Sequence, residues 1–195
     1  MKNLSNFSNL LDLANKNFHK YTTNINPKEH LNIALLYLND ALSMKIDYSV
    51  FESHQKNKLK DALILRAKIF FNFRDYLKCI NDCNYAEKIN KKEHLIYSIR
   101  GDAKFELNKF QEAIYDYETG IELKPNDCIL FLNKGIAEFE LANFKEAINC
   151  FIIAKKRISK YSSNYELLKM YMILAQDYAN YENKNFLKII YEKKY

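Results

Sequence analysis

Tryptophan is absent from the 195 residues, and there are only three glycines and two prolines. That is too few turn-formers for a β architecture, which needs them between short strands. Long apolar runs are missing as well. The longest, at 33–38 and 170–175, fall far short of the roughly 18 to 20 residues that a membrane span requires. The first residues, Met1-Lys2-Asn3-Leu4-Ser5, lack the charged start and apolar run of a secretory signal. The four cysteines are therefore expected reduced, in a soluble cytoplasmic chain with the nucleus as a second location. Residues 1–22 are amphipathic and Ser-rich with Asp12 as their one acid, as in a mitochondrial leader, but they contain no Arg. Charge of one sign does not dominate either. Thirty Lys and Arg are interleaved with 24 Asp and Glu, for a net charge of +6, which argues against a nucleic-acid surface. The basic clusters at 155–160 and 184–194 read as solvated helix faces.

What is present is a repeat. Ala67, Gly101 and Gly135 are spaced by 34 residues, and so are Ile69, Ala103 and Ala137. The same interval relates Tyr76, Phe110 and Phe144, then Cys79, Ala113 and Ala147, then Cys83, Tyr117 and Phe151, then Ala86, Gly120 and Ala154. Pro125 closes the middle unit. Apolar residues at three- and four-residue spacing make each unit two amphipathic helices, joined by a turn at Asp75, Lys109 and Asn143. The small residue on the first helix, Ala67 or Gly101, is expected to face Cys79 or Ala113 on the second and let the backbones approach. A single helix pair cannot cover its own apolar faces, so the units must stack.

This order of aromatic, small, leucine, aromatic, alanine, aromatic, alanine and proline at a 34-residue period resembles the tetratricopeptide-repeat (TPR) family. The resemblance implies an all-α fold, a right-handed superhelix of about four repeats with a C-terminal capping helix pair. The full units span 60–93, 94–127 and 128–161. Residues 5–46 look like a divergent first repeat, with Asn26 and Pro27 opening its second helix, and 47–59 form a polar connector. Residues 162–195 supply the caps: one helix from a capping box at Ser163 to Glu166 as far as Tyr181, and a short one over 184–194. About ten helices result.

No catalytic constellation accompanies the repeats. His19, His30, His54 and His94 lie at loops and helix ends, and no phosphate loop, nucleophile elbow or metalloprotease helix occurs. Cys79 and Cys83 lie four apart on one helix face, but sibling units place Ala113, Ala147, Tyr117 and Phe151 there, so they read as core and not as metal ligands. The expectation is a non-enzymatic adaptor or scaffold without cofactor or metal, binding a protein segment in its concave groove. An RNA-reading helical repeat is the nucleic-acid alternative, and the mixed charge disfavours it.

The layout is also similar to co-chaperone TPR domains, which grip the acidic, carboxylate-ended tails of cytosolic chaperones with a clamp of Lys, Asn and Arg. Asn15 stands at the first-helix Asn of that clamp. Leu11 replaces its Lys, Leu65 the second Asn, and Leu95 and Ile99 the final Lys and Arg. A tail carboxylate would lack charged partners worth about 1.5 to 3 kcal/mol each.

Groove residues free to read a ligand are expected at Leu95, Ile99, Asp102, Glu106, Ile129, Leu132, Asn133, Ile136 and Glu140, an apolar surface with an acidic fringe. It suits an amphipathic segment with Lys or Arg on its flank. Ser98, Phe105 and Phe139 lie on the same face, the two Phe mainly as internal packing. A second contact surface, for a partner or a second copy of the chain, is expected at Met170, Met172 and Ile173, because the apolar residues of 167–181 cover more than one helix face.

Overall fold

A computed structural model describes residues 2–23, 27–43 and 52–192. Every regular element among them is a helix: α1 (Lys2–Thr23), α2 (Pro27–Ser43), α3 (Ser53–Asn72), α4 (Tyr76–Ile89), α5 (His94–Glu106), α6 (Phe110–Leu123), α7 (Cys128–Glu140), α8 (Phe144–Lys155) and α9 (Ser163–Glu192). The chain divides into two compact units, Met1–Ile99 and Arg100–Tyr195, with the boundary inside α5.

The turns between paired helices repeat one geometry. Arg74, Asn108 and Ala142, again 34 apart, hold φ of 61°, 58° and 60°. The amide of each following residue reaches back across the turn, Asp75 to Phe70 O, Lys109 to Lys104 O and Asn143 to Glu138 O, each at 2.9 Å. The left-handed residue itself donates to the carbonyl three back, at 2.8 to 2.9 Å. This is a Schellman closure made without glycine. Asp75, Lys109 and Asn143 then begin the next helix, as the sequence places them.

In the first unit α1 packs on α2 and α3 on α4, with α3 also against α1 and α2. Ala14, Ala34, Leu38, Ala41, Ala67, Ile69, Cys79, Cys83 and Ala86 are fully buried there. Arg66 spans α3 to α4, where its Nε and Nη2 donate to the two oxygens of buried Asp82 at 2.8 and 2.7 Å. In the second unit Arg100 on α5 and Asp116 on α6 repeat this pair 34 residues later, at 2.8 Å, and Lys104 adds a second cation to Asp116 at 2.8 Å. The third position breaks the pattern. Lys134 has Cys150 where its siblings have Asp, and its ammonium turns to Glu118 on α6 at 2.6 Å.

Three expectations are corrected. At Gly101 and Gly135 the nearest second-helix group is an aromatic and not the second small residue. A Cβ added at Gly101 would lie 2.6 Å from the Tyr117 ring, and one at Gly135 only 2.5 Å from the Phe151 ring, so each glycine makes room for an aromatic. The two C-terminal capping helices are one, α9, unbroken from Ser163 to Glu192. No Gly or Pro stands near 181–184 to stop it. Its cap lies one residue earlier than expected, since the Ser162 hydroxyl accepts from the Asn164 amide at 3.3 Å. Finally, α3 starts at Ser53, inside the stretch read as connector, because the Gln55 side chain accepts from the Glu52 amide at 2.8 Å and closes a capping box. Asn26, residues 47–51 of the connector and the last three residues lie outside the described residues, as do the side chains of 182–192.

Candidate functional site

The expected groove is best defined in the second unit, on α5 and α7. Asp102 points from α5 between two neutral donors. The Tyr117 hydroxyl of α6 donates to its Oδ1 at 2.9 Å, and the Asn133 amide of α7 donates to the same oxygen at 2.8 Å. Burial raises the Asp102 carboxyl to about 6, against the opposing pull of these two hydrogen bonds, and the nearby charge of Glu106 adds to the rise. The Tyr117 hydroxyl is pushed up in turn, by burial and by the Asp102 charge, so it stays a donor. Of the buried carboxylates, Asp82 and Asp116 each have a cation, while Glu138 accepts from the Asn143 amide at 2.8 Å. Asp102 has only amide and phenol.

Around this carboxylate the expected residues separate by burial. Glu106 and Glu140 are exposed, Asn133 and Ile136 half-buried, and Ile129 half-buried against the α7–α8 core. Leu132 is a correction: only 1% exposed, it belongs to the core beneath α8 and cannot read a ligand. Ile129 and Ile136, three before and four after it on the same helix face, are half-buried against that same core. Phe105 and Phe139 pack internally, Phe105 edge-on to Phe110 at 5.2 Å and Phe139 to Phe144 and Tyr171 at 5.5 and 5.3 Å. In the first unit Leu95 is exposed at the start of α5, whereas Ile99 is buried, which corrects its assignment as a contact residue.

The clamp positions of the first unit are equally informative. Leu11 and Leu65 are buried core. Asn15 lines a cavity of about 190 Å³ with Ser8, Asp12, Lys58 and Asp61. The Lys58 ammonium donates to the Ser8 hydroxyl at 2.6 Å. Two carboxylates and one ammonium make that cavity a poor receptor for a third carboxylate.

On α9, Met170 and Ile173 are exposed, 49% and 61%, while Met172 is half-buried against the α7–α8 core and lines a groove with Ile173. Among the described residues no cluster of His, Cys, Asp and Glu has metal-binding geometry. No described helix is long and apolar enough to cross a membrane.

The family model described as TPR repeat matches residues 101–141, which hold Asp102, Asn133 and the turn at Ala142's flank. A crystal structure of MamA protein superposes over 97% of this chain and 95% of its own, with a TM-score of 0.65 at 16% identity. The fold is that of tetratricopeptide repeats. Among TPR structures the second TPR of Spaghetti (RPAP3), bound to the HSP90 peptide SRMEEVD, covers 54% of this chain and 97% of its own, with a TM-score of 0.53 at 21% identity. By sequence, human RNA polymerase II-associated protein 3 is 40% identical over 60 residues, which is 31% of this chain but only 9% of the relative's length. The sequence had no means to single out Tyr117 as the donor to Asp102. The one trace was its place opposite Gly101 in the TPR period, which reads equally well as packing.

Proposed function

We propose that this chain is a protein-binding adaptor whose TPR surface on α5 and α7 holds a segment of another protein that presents a Lys or Arg to Asp102. The supporting observation is the carboxylate itself. Asp102 is half-buried, its Oδ1 accepts two neutral hydrogen bonds, and ionisation there is penalised by burial. A partner's cation would relieve that penalty, with the exposed Glu106 and Glu140 extending the acidic fringe and Ile136 offering an apolar contact beside it. Such charges give orientation and rate more than affinity, so apolar anchors on the partner supply the rest.

The test is fluorescence anisotropy on the full chain with a library of amphipathic helical peptides differing in the flank residue. Binders bearing Lys or Arg are expected to tighten as pH rises through about 6, where Asp102 ionises, and to weaken with Asp102→Asn. Selection of acid-flanked peptides would overturn the reading.

A second reading has its own support: the RPAP3 domain similar to this chain is bound to an HSP90 peptide. Against it stand Leu11, Leu65, Leu95 and Ile99 where that recognition uses Lys, Asn and Arg. Calorimetry with the peptide SRMEEVD is expected to show no measurable binding. Low-micromolar affinity lost on amidating its terminal carboxylate would establish the chaperone-tail reading instead.

A further inference from the structure

Helix α9 carries an apolar centre flanked by opposite charges at equal distances. Ile173, 61% exposed, is the centre. Lys169 lies four residues before it and Asp177 four after, and all three line one open groove of about 450 Å³ together with Met172, Gln176 and Lys155 of α8. Residues at i, i+4 and i+8 share a helix face, so the charges stand about 6 Å either side of Ile173 along the axis. Asp177 makes no hydrogen bond or ion pair among the described residues, and Lys169 has exposed Glu166, one turn away at 3.0 Å, and the Tyr165 ring at 5.8 Å. An exposed pair of that kind is worth little and is readily exchanged.

We infer that this face binds a second copy of the chain, with α9 lying antiparallel to its symmetry mate about a two-fold axis at Ile173. A two-fold contact brings residue i to j and j to i, which demands a self-complementary patch. Here the antiparallel arrangement sets Lys169 against the partner copy's acid at 177, repeats that pair on the other side of the axis, and seats the two central isoleucines on each other. A partner segment of one charge sign would be attracted at one end of the groove and repelled at the other. The second copy satisfies both ends. Exposed Met170, one turn before Ile173, widens the apolar strip. The contact runs along about 15 residues and buries on the order of 800 Å² in all, below the size of a standard stable interface, which marks it as a weak, concentration-dependent dimer.

Sedimentation velocity of the full chain, from about 5 to 200 µM, tests it. The wild type is expected to pass from monomer to dimer across that range, and Ile173→Glu to remain monomeric with an unchanged circular dichroism melt. Lys169→Glu and Asp177→Lys are each expected to weaken association about tenfold, and the two together in one chain to restore it, because the reversed charges again face each other. A monomeric wild type at the highest concentration overturns the dimer and leaves the face to a different protein. Association that the double reversal fails to restore overturns it equally.

Discussion

Gly135 and Phe151 are in contact across α7 and α8, so close that a single methyl on the glycine would lie 2.5 Å from the ring. Gly101 and Tyr117 repeat the relation one unit earlier, at 2.6 Å. At the equivalent places of the preceding unit stand Ala67 and Cys83, where the larger first-helix residue accompanies the smaller second-helix one. Volume is conserved between the two helices while its division shifts.

Gly135→Ala is therefore expected to destabilise the chain by about 1 to 3 kcal/mol, despite the gain of up to about 1 kcal/mol in helix propensity. Urea denaturation measures it. Gly101→Ala behaves alike, and adding Phe151→Leu to Gly135→Ala recovers part of the loss.

Arg74, Asn108 and Ala142 hold left-handed backbone without being glycine. Ala142→Gly relieves a Cβ clash that asparagine at 108 tolerates better, and should stabilise by about 0.5 to 1 kcal/mol. The same exchange at Asn108 should gain less. Equal gains at both sites, in thermal or urea unfolding, would contradict this account.

How much of this was legible in the sequence differs by feature. The period, the helix pairs and their turns could be read because three copies in register show which positions are small, aromatic or polar. The partner of each small residue could not, since Cys79 and Cys83 are both small enough to suit Ala67. The continuous α9 was read as two helices although no Gly or Pro separates Tyr181 from Lys184. At the groove, first-helix positions were identified as a face, yet a helix presents a graded surface. Asn133 and Ile136 are half-buried, Ile136 against the α7–α8 core, whereas Leu132 and Ile99 are buried. A Glu at Ile99 would be expected to unfold the chain and report nothing about ligand binding.

Asp102 gives a pH dependence of unusual sign. Its unfolded carboxyl titrates near 3.8 and its folded one near 6, so between those values the native state holds more protons. Stability from this group is therefore highest below about pH 4 and declines as pH rises through 6. Asp102→Asn, which keeps the acceptor for Tyr117 and Asn133, should exceed wild type by about 1 to 3 kcal/mol at pH 7.5 and match it only below about pH 3.5. Chemical denaturation of both proteins at the two pH values reads the difference directly.

Arg100 and Asp116 form a buried pair, with Lys104 on the same carboxylate. Arg100→Met removes one cation but leaves Lys104 on the carboxylate, whereas Asp116→Ala removes the anion that both cations share, with Lys104 left to Glu112 at 3.7 Å. The aspartate change should cost about 3 to 5 kcal/mol and the arginine change distinctly less. The order of their melting temperatures is the check.

The exchange of aspartate for Cys150 turns Lys134 away from its own helix pair and towards Glu118 of the pair before, while Asn133 beside it donates to Asp102. In a linear array the unfolding transition is shaped by two quantities, the intrinsic stability of each link and the strength with which neighbours are joined. That one difference between the units places an interaction in the second quantity and not the first. Along 100–155 the chain should consequently lose its structure in a single step, and amide exchange should find no condition in which α7 and α8 open while α6 stays closed.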